Sequence, residues 1–224
     1  MLALRLGLSL GSPRPMGGWT PADETTLEAW YQKGEGISLN GTDVSEWADS
    51  TTNGHDMSQA TATEQPAYSN GVLTFDPTDT NNLQTTTQIS LADEFTIGFV
   101  ANAESYNNVI LGDNTTSNEF FKYSASNKFL IKIGGTSKTF TLDSGSWGDD
   151  YVVVTRDGSS VITIWLNGEK QADTETLSGT AEIDAIGVRA TDVNPFEGTV
   201  EEIQIYTSIS DDLTANLNSY LSGI

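Results

Sequence analysis

The chain has 224 residues, 37% of them hydrophobic, no cysteine, and a formal net charge of −21 from 31 acidic against 10 basic side chains. That length suffices for one all-β domain with its own core, and the supply of aromatic and β-branched residues excludes a disordered chain. The missing cysteines exclude disulfides, zinc–thiolate centres and thiol catalysis, and the charge argues against nucleic acid or an anionic membrane as a broad electrostatic partner.

The first residues, MLALRLGLSLGS, place Leu2, Leu4, Leu6, Leu8 and Leu10 at period two, with Ala3, Arg5, Gly7 and Ser9 on the opposite side. Strict alternation predicts a half-buried strand. A signal peptide needs a continuous apolar run and an A-x-A cleavage pattern, and Arg5, Gly7 and Ser9 interrupt the one while the other is missing. The segment is also too short to span a bilayer as a helix. Gly11 to Gly18, with Pro13 and Pro15, reads as a linker. Residues 1–19 are therefore expected to form an arm and linker, and residues 20–224 a separate body. Five leucines on one side of an unpaired strand make a template for strand addition. The arm is expected to pair with a partner protein or another copy of this chain; the competing expectation is that it folds back as an edge strand of its own body.

Thr20-Pro21 offers an N-cap followed by proline, which predicts a short turn over 21–26. Strands are expected at Leu27–Tyr31 and Val44–Trp47, with a loop or edge strand over 34–41 and another strand over 72–75 after the Asn70-Gly71 turn. Residues 76–82 (DPTDTNN) form a loop rich in oxygen ligands. From Ile89 onward, alternating apolar residues predict strands around Phe95–Ala101, Val109–Leu111, Phe120–Tyr123, Phe129–Ile133 and Phe140–Leu142. The segment YVVVTRDGSSVITIWLNGE (151–169) is the most legible of all. It is a pair of long antiparallel strands joined by Asp157-Gly158-Ser159-Ser160 and closed by Asn167-Gly168, and its continuous apolar runs place it centrally, covered on both faces. Strands at 181–185 and 198–207 follow. Ser210 then caps a terminal helix, with Asp211 and Asp212 in its first turn and Leu213, Leu217, Tyr220 and Leu221 along one side. About twelve strands with no helical crossovers between them predict an all-β, two-sheet antiparallel sandwich with an extended N-terminal arm and a short C-terminal helix.

The order LEAWY (27–31), VSEWADSTTNGHDMSQ (44–59), QPAY (65–68), GVLTF (71–75), DEFTIGFV (93–100), WGDDYVVVTRDGSSVITIWLNGE (147–169) and PFEGTVEEIQIY (195–206) resembles the laminin-G-like domains of the concanavalin A-like lectin and glucanase superfamily. The variety found in bacterial surface and tailed-phage structural proteins is the most similar. The likeness spans about residues 20 to 224. It implies a jelly-roll sandwich, usually non-enzymatic, that binds glycans or proteins or serves as a structural module. With the leucine opening, it implies a structural component of a bacteriophage particle, a capsid decoration, neck, tail or fibre protein, held by its arm to other virion proteins or to copies of itself. The alternative it implies is a free-standing carbohydrate-binding module acting outside the cell or at its surface, and a glycoside hydrolase is a more distant one.

Candidate chemistry is sparse. Glu182-Ile183-Asp184 begins like the alternating acids of related glucanases, but Ala185, Ile186 and Gly187 stand where a second catalytic acid belongs, and retention needs a carboxyl pair about 5–5.5 Å apart. Glu201 and Glu202 are adjacent on a strand and face opposite ways. His55 is the only histidine, too few for a histidine-rich metal centre. No cofactor is expected apart from calcium, a hard cation that takes oxygen ligands. The densest oxygen cluster is Asp76, Asp79 and Asn81 with Asn82, followed by Asp143, Asp149 and Asp150, and neither has EF-hand spacing. Glycans stack on aromatic faces. Trp147, between Gly145 and Gly148, and Tyr106, in the Asn-rich loop 102–108, are the candidate platforms for a surface glycan, whereas Trp30, Trp47 and Trp165 sit in strand patterns and read as packing.

Overall fold

The computed structural model describes residues 18–224. The arm leucines Leu2, Leu4, Leu6, Leu8 and Leu10 lie outside the described residues. Pro21–Asp23 forms a single 3-10 turn, where the Asp23 carboxylate accepts the Thr20 backbone N–H at 2.8 Å.

Eighteen strands follow among the described residues. They are β1 (Leu27–Tyr31), β2 (Ile37–Asn40), β3 (Asp43–Trp47), β4 (Met57–Ser58), β5 (Ala67–Ser69), β6 (Val72–Phe75), β7 (Leu83–Leu91), β8 (Phe95–Ala103) and β9 (Asn108–Gly112). They continue with β10 (Phe120–Ala125), β11 (Lys128–Ile133), β12 (Thr136–Thr141), β13 (Asp149–Arg156), β14 (Val161–Leu166), β15 (Glu169–Lys170), β16 (Glu175–Thr176), β17 (Ala181–Ile186) and β18 (Gly198–Tyr206). The helix α1 (Asp211–Leu221) ends the chain, and the Ser210 hydroxyl accepts the Leu213 N–H at 2.9 Å, the cap expected from the sequence.

Every pairing is antiparallel, and together they make two layers. The first runs β1, β18, β8, β13, β14, with the short β15 and β16 on β14. The second runs β12, β11, β10, β9, β17, β7, β4, β3, β2. Strands β5 and β6 link the layers, since β6 pairs with β18 and β5 with β3. This is an antiparallel β-sandwich with a short C-terminal helix.

The main core lies between the layers and includes Phe95, Ile97, Phe99, Val152, Val154, Ile162 and Ile164 from the first, and Ile110, Phe121, Tyr123, Phe129, Ile131 and Ile183 from the second. Alternation sends Val100 and Val153 the other way, where they meet Tyr206 of β18 and Leu213, Leu217 and Leu221 of α1. The predicted covering of the 151–169 hairpin on both faces is therefore met, by sandwich on one side and helix on the other. Gly98 of β8 makes that packing possible, because a Cβ there would lie 2.8 Å from Leu217 Cδ2.

Arg156 is buried at the end of β13. Its Nη1 donates to the Gly179 carbonyl at 2.6 Å, Nη2 to Leu91 at 2.7 Å, and Nε to Asp93 at 2.7 Å. Its guanidinium also stacks 4.8 Å from the Phe95 ring. The charge is met by carbonyl dipoles, and the residue ties the end of β7 and the β7–β8 connection to the segment between β16 and β17.

Candidate functional site

The two layers differ in what their outer faces carry. On the second layer, core residues Phe121, Tyr123, Phe129, Ile131 and Ile133 alternate with Phe120, Lys122, Leu130 and Lys132, which face outward. Phe120 pairs in register with Lys132 on one side and with Gly112 on the other. Gly112 leaves a gap in that row, and the segment after β17 fills it, since a Cβ on Gly112 would come within 2.4 Å of the Val188 carbonyl oxygen and 3.0 Å of Arg189 Cβ.

Arg189 thereby reaches the Phe120 ring, its Cζ 4.9 Å from the centroid, and Lys122 Nζ and Lys132 Nζ lie 5.6 Å and 5.8 Å from the same centroid. Each cation has a neutral oxygen partner. Lys122 Nζ donates to Asn107 Oδ1 at 2.7 Å, Lys132 Nζ to the Ser117 carbonyl at 2.7 Å, and Arg189 Nη2 to Asn194 Oδ1 at 2.8 Å. Among the described residues no carboxylate lies within 4.0 Å of any of them. Burial lowers the pKa of Lys122, and the neighbouring Arg189 charge lowers it further. Burial likewise lowers that of Arg189.

One wall of this patch is the loop after β17. Ala190, Thr191, Asp192 and Asn194 all have positive φ, from 35° to 64°. Such backbone costs an alanine or a β-branched threonine on the order of 1–3 kcal/mol, and it persists where its surroundings fix it. Here Ala190 N donates to the Asp113 carbonyl at 2.8 Å, Thr191 N to the Asn114 carbonyl at 3.0 Å, and Val109 N to the Asn194 carbonyl at 3.0 Å. The Asn114 N–H in turn donates to Asp184 Oδ1 at 2.6 Å, which gives Asp184 a structural task. The other wall is the loop carrying Tyr106, 39% exposed, next to the Asn107 that holds Lys122.

Beside these cations, at the end of β9 and β10, single carboxylate oxygens of Asp113, Glu119 and Glu182 lie within 4.8 Å of one another. The first two are engaged. Asp113 accepts the Thr115 and Thr116 N–H groups at 2.7 Å and 3.1 Å and both their hydroxyls, and Glu119 accepts the Thr116 hydroxyl at 3.0 Å and the Gly134 N–H at 3.2 Å. Burial, chiefly, raises the pKa of Glu119 and of Asp184, and the neighbouring acids add to it. Glu182 and Asp184 stand out in the sequence as alternating acids, whereas Asp113 and Glu119 do not, because β9, β10 and β17 have to pair before these acids meet.

The predicted site residues are scattered. Trp147 is buried, 4% exposed, edge-on to Tyr123 at 5.0 Å and tilted on Phe129 at 5.5 Å, with its Nε1 donating to the Lys128 carbonyl at 3.2 Å. It plugs the end of the sandwich and has no face open to a sugar; flanking glycines indicate a loop, not exposure. Tyr106 is exposed and lies beside the cationic patch. Asp76 and Asp79 are exposed, Asn81 is buried, and all three line a cleft of about 460 Å³ with Asp43 and Gln65. Within it Asn81 Oδ1 accepts the Asp76 N–H at 2.8 Å and Asp76 Oδ1 accepts the Thr78 N–H at 2.7 Å, so these side chains build their own turn. Asn82 faces Gln59 and Gln84, at 2.9 Å and 2.8 Å. Asp150 is taken by the Gly148 N–H and Asn167, both at 2.7 Å, and Asp143 by the Ala172 N–H at 2.9 Å.

His55 is buried between the Thr87 carbonyl, 2.8 Å from Nδ1, and Glu28, 2.9 Å from Nε2. Glu202 is fully buried and accepts Trp30 Nε1 at 2.5 Å, the Lys33 N–H at 2.6 Å and Gln204 Nε2 at 2.9 Å. Burial is the main cause raising its pKa, and these donors oppose it. Trp47 belongs to the main core, while Trp30 and Trp165 are half-buried, Trp30 beside Tyr220 and Trp165 within the cluster under α1. A polar cleft of about 410 Å³ opens beside Trp30, lined by Glu24, Glu28, Thr51 and Asn53.

No family model and no curated protein matches this sequence. The fold has counterparts among solved structures. Domain 4 of AbnA, an extracellular arabinanase of Geobacillus stearothermophilus solved with arabinotriose, matches 86% of this chain and 98% of its own at 15% identity and a TM-score of 0.55. A mutant of HCR D/C VPI 5995 matches 89% of this chain and 53% of its own at 13% identity and a TM-score of 0.54. The CBM40 of a Ruminococcus gnavus sialidase, solved with sialyllactose, matches 57% of this chain and 83% of its own at 18% identity, with a TM-score of only 0.45. At these identities the likeness is one of fold, the lectin-type β-sandwich to which the sequence was compared.

Proposed function

We propose that the chain is a non-enzymatic carbohydrate-binding module that works outside the cell or at its surface, with the outer face of the second layer as its ligand surface. The observation that carries this reading is the asymmetry of the sandwich. One outer face is sealed by α1, and on the other three cations surround the buried Phe120 ring between an exposed tyrosine and a loop fixed in positive-φ backbone. A pre-formed surface with a few placed donors is what a ligand site needs. The similar fold of an arabinanase domain solved with arabinotriose supports the reading as an analogy of architecture. Of the carboxylates near this face, Asp113 and Glu119 are occupied in holding the 113–119 turn and Asp184 in holding Asn114, which leaves Glu182 without an unengaged acid beside it and favours binding over hydrolysis.

A glycan array probed with the full chain tests it. Retention on one glycan class, weakened at least about fivefold by Tyr106→Ala at unchanged melting temperature, is expected. Retention on none would sink the reading, and release of reducing ends from a bound glycan would make the protein an enzyme.

A second reading, a structural component of a bacteriophage particle anchored through residues 1–19, is favoured by one observation, the period-two leucines ahead of a Gly/Pro linker. Mass spectrometry of purified particles tests it, and absence from them ends it.

A further inference from the structure

We infer that the ligand of the second layer's outer face is an anionic saccharide, one whose carboxylate sits among Lys122, Lys132 and Arg189 above Phe120. This inference rests on the carbohydrate-binding reading and adds the charge of the ligand to it.

The chain has 31 acidic side chains and only 10 basic ones, so a cation here has many chances to find a carboxylate. Lys33 and Lys138 do find one, in Glu201 and Glu175. Among the described residues Lys128, Lys170, Arg156 and the three cations around Phe120 do not, and what sets those three apart is that they converge on one ring from two strands and a loop. Folding brings like charges together at this point without neutralising them, and the desolvation that lowers the Lys122 and Arg189 pKa values shows that water does not fully compensate. A complementary anion would relieve the repulsion.

Donor capacity points the same way. An ammonium has three N–H donors and a guanidinium five. Lys122 makes one hydrogen bond to a side chain, and so does Arg189, whose buried Nε has no acceptor among the described residues. A carboxylate, with two oxygens and about four lone-pair sites, matches a planar guanidinium beside an ammonium. The exposed Tyr106 provides the aromatic surface against which a sugar ring packs, while the Phe120 ring, 7% exposed, lies beneath the cations and holds them together. The Asp113–Glu119–Glu182 group at the end of the patch limits where a second negative charge would be tolerated, which favours one carboxylate per sugar over a densely sulfated chain.

The experiment is calorimetric titration of the full chain with 3′-sialyllactose and trigalacturonate as carboxylated probes and with lactose and arabinotriose as neutral ones, at low and at raised salt. Lys122→Met and Arg189→Met keep much of the apolar stem while removing the charge. Expected are preferential binding of at least one carboxylated probe, weakening with salt, and a loss of tenfold or more in each variant. Removing a poorly solvated cation should leave the melting temperature unchanged or raised, which separates loss of a ligand contact from loss of fold. Neutral saccharides bound equally well, and equally by both variants, would overturn the inference while leaving the carbohydrate-binding reading intact. Binding of acetate or sulfate as tightly as of either carboxylated sugar would overturn it as a saccharide site. No binding of any probe at about millimolar concentration, together with an empty glycan array, would defeat both.

Discussion

The two outer faces of this sandwich are built by the same rule and finished in opposite ways. On each, every second residue of a central strand points away from the core. On the first layer those residues are Val100, Val153 and Tyr206, and α1 covers them with Leu213, Leu217 and Leu221. On the second they are Phe120, Lys122 and Lys132, joined by Arg189 from a loop, and among the described residues no helix covers them. Covering an apolar face contributes roughly 25 cal/mol per Å² buried, so the first face adds stability. On the second face like charges repel one another, offset in part by their attraction to the Phe120 ring, and under the proposed function this is the face left for a ligand. The contrast separates residues that hold the protein together from residues that are free to work.

The largest expected effect is on the covered face. Leu217→Ala removes the side chain that fills the space above Gly98 and should destabilise the chain by about 2–5 kcal/mol in denaturant unfolding. Binding at the second face should survive as long as the protein is folded. A loss under about 1 kcal/mol would show that α1 merely rests on the sheet.

Gly112→Ala should rank next, at about 1–3 kcal/mol, because the added Cβ meets a backbone carbonyl that cannot rotate away. It should also displace Arg189, so ligand affinity and stability fall together. If affinity is untouched, Arg189 does not reach the ligand.

Glu202→Gln tests the rim of the covered face. The new amide turns an N–H toward the Lys33 N–H or the Trp30 indole, at a cost of about 1–3 kcal/mol near neutral pH. Because the folded-state pKa of Glu202 is raised, its contribution is fully present below the unfolded carboxylate value and is lost as pH rises through the folded one. The stability gap between wild type and variant should therefore widen as pH is lowered from neutral toward the unfolded carboxylate range. A gap that narrows on acidification would mean that the donors Lys33, Trp30, Gln204 and Tyr220 together outweigh burial.

Tyr106→Ala should have the smallest effect on stability, within about 0.5 kcal/mol, since its ring is exposed. Its whole consequence should appear in binding. A variant that unfolds early would move Tyr106 from the working face to the structural one.

Much of the fold was legible beforehand where the signal is local. Val152, Val153 and Val154 alternate between two apolar environments, Asn167-Gly168 turns with both φ values positive, and Ser210 caps its helix. The centre of β7 is not legible in the sequence, because Gln84 to Gln88 are polar; β17 pairs with Leu83–Gln84 and with Ile89–Leu91, and the register shifts between them. Strands β4 and β16 were missed for a related reason, since two residues carry no period. Among the candidate glycan platforms, Tyr106 is exposed, as its polar loop suggests. Trp147 was misjudged, since the same loop chemistry fits a ring turned inward. Lys122 and Lys132 had a readable signal, bases at outward positions of otherwise apolar strands, in a chain with few bases. Arg189 had none.

The residue order alone determined a sandwich of antiparallel strands ending in a capped helix, because side-chain alternation, turn conformations and helix caps are settled within a few residues of one another. Only the tertiary structure decided which outer face the helix would close and which charges would be left to meet above Phe120. Those outcomes depend on strand order and register, which put Lys132 beside Phe120 across β10 and β11, and on contacts such as that between Asn114 and Asp184, 70 residues apart, which fix the loop that delivers Arg189.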